Sequence, residues 1–276
     1  MLKPPLPLVG NKFRWNRILK PLAMQLPQHA VVFDAFGGSF AVSRMIKDWR
    51  PDVTCIVNDC GMYYRKRLEA VEDTNAILDE MRANGACNIH DTYEKYAPDI
   101  EQKLKDISEK AKDRLTVLKN LYIAPNTIRA KCANANYDVS QCLDYCSDCV
   151  IVDEMLDGRK AHYYARSCDL IVLDPPYERV SKSWIEGDYI CQTEKAQFFC
   201  RGIIQSGCAY WLFEAPGASL MALAHDNGAR FIEYDRKRNK NRAIEQMAVS
   251  PGFGVSDGHA PPVEPVCKHV QLSLPF

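Results

Sequence analysis

Two short stretches, 140 residues apart, carry the residue types of a reaction site. Asp34-Ala35-Phe36-Gly37-Gly38-Ser39 follows one apolar run, and Asp174-Pro175-Pro176-Tyr177 follows another. Gly37 and Gly38 have no Cβ, so a ligand can lie close to the backbone there. Asp59 closes a third apolar run about 20 residues beyond the glycines, where an acid can accept hydrogen bonds from ribose hydroxyls. The glycines do not form the G-x-G-x-x-G pyrophosphate fingerprint. A glycine turn with a ribose acid and no phosphate fingerprint points to a nucleoside cofactor without phosphates, and S-adenosylmethionine fits. A plain strand-to-helix turn with a helix cap is the alternative reading of the same residues. Ligands of open α/β sheets bind at the carboxyl ends of strands, so the two stretches can serve one cleft if their strands are neighbours.

The elements around them support a parallel sheet. Residues 16–25 have helical spacing, 30–34 read as a strand, 40–49 as a helix stopped by Pro51, and 54–59 as a second strand. Strand, glycine turn, helix, strand is a βαβ unit. Residues 61–121 are polar and helical with charges of both signs, and 122–166 read as loops or a small hairpin. The run 168–174 is a buried strand that Pro175 and Pro176 end, because proline cannot donate to the ladder. Helices follow at 194–205 and 219–227, with strands at 208–213, 230–234 and 244–250. The chain divides into 1–60 and 167–250, two parts of one α/β domain. A helical, Cys-containing insertion at 61–166 and a flexible Pro/Gly tail at 251–276 complete it.

With the catalytic stretch in this context, the chain resembles the Dam-like N6-adenine DNA methyltransferases over about residues 7–250. Gly10-Asn11-Lys12 is similar to the family's N-terminal cofactor motif, and the stretch from Phe33 through Asp34, Phe36, Gly37 and Gly38 to Ser39 to its glycine motif. Asp59 matches the ribose acid, and Asp174-Pro175-Pro176-Tyr177 the DPPY motif. The resemblance implies a class I S-adenosylmethionine-dependent methyltransferase (Rossmann-like) sheet with a target-recognition insertion. It implies methyl transfer to N6 of an adenine flipped out of DNA. The Asp174 carboxylate and the Pro175 carbonyl would each accept one N–H of the amine, and Tyr177 would stack on the base. Lys12 would sit by the cofactor carboxylate or the target base. The family's Gly/Phe-rich hairpin is absent, so recognition of GATC is not carried over. The first letter of the motif, Asp, favours adenine; methylation of RNA adenine or of N4 of cytosine is the alternative. So is a catalytically silent DNA- or clamp-binding protein on the same scaffold.

Other residues have weaker readings. Arg129 and Lys131, with Asn134 and Asn136, are candidate base or phosphate readers. The basic stretch from Arg236 through Lys237, Arg238 and Lys240 could track phosphates. Cys132, Cys142, Cys146 and Cys149 could close a zinc site, but their spacing is not a pair of C-x2-C knuckles, and small buried thiols are the plainer reading. Gln271, Leu272, Leu274 and Phe276 resemble the linear motif that docks bacterial proteins on the sliding clamp.

Composition sets the frame. The 276 residues hold 35 Lys plus Arg and 35 Asp plus Glu, with 47% apolar residues, which excludes an intrinsically disordered chain. No secretory signal and no 18-residue apolar run stand out, so a cytoplasmic protein without a membrane span is expected. The zero net charge is a cancellation: residues 1–20 carry +5, 230–242 carry +4 and 138–158 carry −6. Bulk attraction to nucleic acid is therefore weak, while local basic surfaces remain.

Overall fold

The computed structural model describes residues 12–60, 63–86, 92–120, 145, 147–175, 188–236 and 243–253. A 3-10 turn, Lys12–Trp15, leads into α1 (Asn16–Ala23), β1 (Val31–Asp34), α2 (Ala41–Trp49) and β2 (Thr54–Asn58). Two long helices follow, α3 (Tyr63–Ala83) and α4 (Pro98–Asn120). The chain then alternates through β3 (Val150–Val152), α5 (Gly158–Ser167), β4 (Leu170–Leu173), α6 (Asp188–Ser206), β5 (Tyr210–Glu214) and α7 (Ser219–Asp226). A terminal pair, β6 (Arg230–Arg236) and β7 (Ala243–Val249), ends the described fold.

All seven strands form one sheet in the order β3-β2-β1-β4-β5-β7-β6. β1 to β5 pair in parallel, and β7 enters antiparallel between β5 and β6. This is a Rossmann-like α/β sheet, as the resemblance implied. The central strands are buried on both faces, which is why β4 (Leu-Ile-Val-Leu) and β5 (Tyr-Trp-Leu-Phe-Glu) read as continuous apolar runs.

Side chains alternate across the sheet with period two. Val32, Val172, Trp211, Phe213, Met247 and Val249 face one core, closed by Trp15, Leu19 and Leu22 and by Met45 and Ile46 of α2. Phe33, Ile171, Leu173, Tyr210, Leu212 and Ala248 face the other, closed by α5, α6 and α7. Arg50 ends α2 and ties the preceding loop down by donating to the carbonyls of Leu26 at 2.7 Å and Pro27 at 2.8 Å and to Asp52. The α3–α4 pair has its own core of Tyr64, Leu68, Leu78, Leu104 and Ile107, joined to the sheet through Phe40 and Val57.

The segment read as loops or a hairpin at 122–166 is corrected in its later part. β3 pairs with β2, Ile56 opposite Val150, so the sheet is rejoined at 150. α5 follows, its N-terminus capped by Asp157, whose carboxylate accepts from the backbone N–H of Arg159 and Lys160. α6 starts at Asp188, earlier than the expected 194.

Several expected site residues lie outside the described residues: Gly10, Asn11, Pro176, Tyr177, Arg129, Lys131, Asn134, Asn136, Lys237, Arg238, Lys240, Cys132, Cys142, Cys146, Gln271, Leu272, Leu274 and Phe276. Among the described residues, no helix is long and apolar enough to cross a membrane.

Candidate active site

β1 and β4 are neighbours. Asp34 of β1 lies opposite Val172 of β4, and the Ala35 N–H donates to the Val172 carbonyl at 3.0 Å. Asp174, two residues past Val172, therefore leaves the sheet edge beside the Asp34 turn. Strand order reverses here: β2 and β3 continue to one side of β1, β4 and β5 to the other. Such a switch point opens the crevice in which open α/β sheets hold ligands.

The glycine turn is tightly built. The Gly37 N–H donates to the Asn58 carbonyl at 3.0 Å, and Phe40 N–H donates to the Gly37 carbonyl at 2.6 Å. A Cβ on Gly37 would run into Val57 and would stand 2.7 Å from the Phe40 ring, so only glycine fits. Gly38 has φ 54° and Phe40 φ 57°, both left-handed. For Phe40 this conformation costs about 1–2 kcal/mol. Stacking on Tyr64, 4.5 Å between centroids and 15° between planes, and full burial offset that cost. Strain of this kind gathers at ligand clamps.

Asp59 is buried beyond the end of β2, and both its oxygens accept from the Tyr64 N–H at 3.1 Å. The carboxylate thus caps the first turn of α3. It has about four lone-pair sites, so acceptor capacity remains for ligand hydroxyls. Burial raises its pKa, while the Tyr64 N–H and the nearby Arg67 oppose the shift. The cap and the ribose reading are thus compatible.

Asp34 is buried and accepts from Ser43 Oγ at 2.7 Å. Burial pushes its carboxyl up to about 6, the Ser43 hydroxyl working against the shift and the Asp174 charge adding to it. Phe36 is half-buried and meets Phe199 edge-on at 6.4 Å, and Ser39 is buried in the turn.

Lys12 is not a surface lysine. It is 4% exposed, and its Nζ meets Asp174 Oδ2 at 2.7 Å. Trp15, in the same 3-10 turn, is fully buried against Phe213 and Tyr234, each 5.4 Å away, and its Nε1 donates to Glu245 at 3.0 Å. That anchor holds the turn on the sheet, and the Lys12 ammonium stands 5.5 Å over the Phe213 ring. The resemblance assigned Lys12 to the cofactor or the base; here its ion-pair partner is the motif aspartate itself.

Three further residues shape the site and were not singled out in the sequence. Asn58 clamps β1 to the segment after β3: its Nδ2 donates to the Ala35 and Glu154 carbonyls, and its Oδ1 accepts from Glu154 N–H. Arg67, buried on α3, donates to the Gly38 carbonyl at 2.9 Å. Ser43 holds Asp34. A polar Asn at the end of an apolar run was a legible signal, whereas Arg67 sits in a charge-rich helix with nothing to set it apart.

The remaining assignments divide. Arg236 ends β6, on the far edge of the sheet from β3. Cys149 is half-buried, and its thiol is pushed up to about 11, chiefly by burial, so it is protonated at neutral pH. Among the described residues, no group of three or more His, Cys, Asp or Glu is placed to hold a metal.

Asp59, the Cβ-free glycine turn and the Asp34–Asp174 edge fit a nucleoside ligand with vicinal hydroxyls. No family model matches the chain. No curated protein is similar to it in sequence. Among solved structures, the precorrin-6y C5,15-methyltransferase from Geobacter metallireducens aligns with 84% of this chain and 86% of its own, at 9% identity and TM-score 0.31. The rRNA methyltransferase aviRa from Streptomyces viridochromogenes aligns with 90% of this chain and 87% of its own, at 13% identity and TM-score 0.34. An O-methyltransferase family protein from Burkholderia thailandensis aligns with 88% of this chain, which spans 58% of that protein, at 10% identity and TM-score 0.36.

Proposed function

We propose that this protein transfers a methyl group from S-adenosylmethionine to N6 of an adenine flipped out of DNA. The observation that carries the reading is the placement of Asp174 and Pro175 directly beside the Asp34–Ser39 turn at the switch point of the sheet. A donor-binding turn and an amine-activating motif then share one crevice.

S-adenosylmethionine, when bound, supplies an electrophilic methyl on a sulfonium that departs as a neutral thioether. The chain's own groups prepare the nucleophile. The adenine amine is a poor one, because its lone pair is delocalised into the ring. The Asp174 carboxylate and the Pro175 carbonyl each accept one N–H, which favours a pyramidal nitrogen with its lone pair out of the ring plane. Acceptors fixed in advance, where positive charge develops, are commonly the largest catalytic contribution. After transfer the nitrogen holds one proton too many, and Asp174 is the carboxylate within reach to take it and pass it to water. Asp59 would hold the ribose, and Gly37 and Gly38 would admit the cofactor against the backbone.

Co-expression in a host lacking DNA methylation, followed by sequencing for modified adenine, tests the reading. N6-methyladenine at a defined site is expected. Its absence, with label appearing instead in RNA or at N4 of cytosine, would favour the alternatives; no transfer to any acceptor would favour a catalytically silent DNA-binding protein. The proposal extends to the sliding clamp as partner, through Gln271, Leu272, Leu274 and Phe276. Deletion of residues 271–276 is expected to abolish binding to immobilised clamp; unchanged affinity would end that part of the reading.

A further inference from the structure

Two carboxylates and one ammonium meet at the edge of β1 and β4. Lys12 Nζ is 2.7 Å from Asp174 Oδ2, and both lie within electrostatic reach of buried Asp34. Lys12 comes from the 3-10 turn before α1, Asp34 from β1 and Asp174 from the end of β4, so three separate elements converge. Lys12 is 4% exposed, which makes its charge costly unless paired.

We propose that Lys12 is a positioning residue for methyl transfer: its ammonium, paired with Asp174 at the sheet edge where buried Asp34 also stands, keeps the Asp174 carboxylate ionised and aimed. The inference rests on the proposed role of Asp174 but concerns a residue that the resemblance placed elsewhere. Two like charges in a buried edge cannot both ionise cheaply, and one takes a proton unless a cation compensates. Asp34 shows the tension: burial and Asp174 push it up to about 6, while Ser43 and Lys12 pull it down. The structure divides the labour. Asp34 has the Ser43 hydroxyl; Asp174 has the ammonium. The ammonium engages Oδ2, and a carboxylate has about four lone-pair sites, so acceptor capacity for an amine N–H remains.

Other titratable groups also face the pair. Cys55 of β2 and Cys149, before β3, feel Asp34, and Cys200 of α6 feels Asp174 and Glu214 of β5. The three thiols are all shifted upward by burial and stay neutral at neutral pH, so none of them adds a further negative charge beside the pair.

The test uses the full chain with 13C-labelled aspartate, without DNA or cofactor. The Asp174 carboxyl signal is assigned by its loss in Asp174→Asn and titrated. Lys12→Met is expected to raise the Asp174 midpoint by about 1–3 pH units, and Lys12→Arg to leave it near that of the unaltered protein. The rate of methyl transfer by Lys12→Met should fall off on acidification at a correspondingly higher pH. Rates lowered equally at every pH, with the Asp174 midpoint unmoved, would overturn the proposal. Should Lys12→Met fail to fold, Asp34→Asn decides: removing the competing carboxylate should lower the Asp174 midpoint, and an unchanged midpoint overturns the proposal as well. Because the titration needs no turnover, failure of the methyl-transfer reading and failure of this proposal are separately visible.

Discussion

Asp174→Ala is expected to lower methyl transfer to adenine by about 100- to 1,000-fold or more, the scale seen when one preorganised charge-stabilising group is removed. Binding of S-adenosylmethionine, by contrast, should change little, because the glycine turn and Asp59 follow β1 and β2 rather than β4. The fold should survive. Asp174 lies outside the strand ladder, although its loss also removes the 2.7 Å ion pair of buried Lys12. Asp174→Asn separates charge from shape: the amide oxygen can still accept one N–H, but the compensated negative charge is gone. A comparable loss in both variants would assign the effect to charge; a mild loss in Asn alone would assign it to acceptor geometry. Transfer by Asp174→Ala at the unaltered rate would sink the mechanism. Isothermal titration with the cofactor and single-turnover transfer to DNA give the two readouts.

Trp15→Ala is the substitution with the largest expected effect on stability among those the described core suggests, a loss of about 3–5 kcal/mol. The indole is fully buried, packs edge-on against Phe213 and tilted against Tyr234, and donates to Glu245. Alanine would leave a cavity between the 3-10 turn and the sheet, and would release the turn that presents Lys12. Trp15→Phe keeps most of the ring but not the Nε1–H donor. It should cost about 1.5–3 kcal/mol, the range for a hydrogen bond to a charged group. Urea unfolding measures both, with the midpoint shifting and the slope unchanged if the native state stays compact. A loss under about 1 kcal/mol for Trp15→Ala would show that the turn is not anchored through this residue.

Much of the fold was legible because the central strands announce themselves. β1, β2, β4 and β5 lie in the interior of the sheet, buried on both faces, so each reads as an apolar run, and Pro51 and Pro175 mark where α2 and β4 stop. β3 was hidden for the opposite reason. It is three residues long at the sheet edge, with Val150 and Ile151 exposed, and neither alternation nor a long run marks it. α5 was hidden by its polarity, since only Ala161 and Tyr164 turn inward.

The site divided in the same way. The glycines, Asp34, Asp59 and Asp174 stood out at the ends of apolar runs, as did their order along the chain. Their convergence depended on β1 lying next to β4, a fact of packing between segments 140 residues apart. The partner of Lys12 lies 162 residues away and follows from no local pattern. Arg67 touches the glycine turn from a helix whose charges otherwise face solvent, so its burial came only with the structure.

The contacts of Arg67 with Gly38 and of Tyr64 with Phe40 tie the first turns of α3 to the glycine turn. In thermodynamic terms the helical pair and the turn are therefore not independent. A ligand that orders the turn also biases α3, and by reciprocity anything that shifts α3 alters the affinity of the turn by the same factor. A partner that binds α3 would then influence a ligand of the glycine turn, and be influenced by it, with no contact between the two.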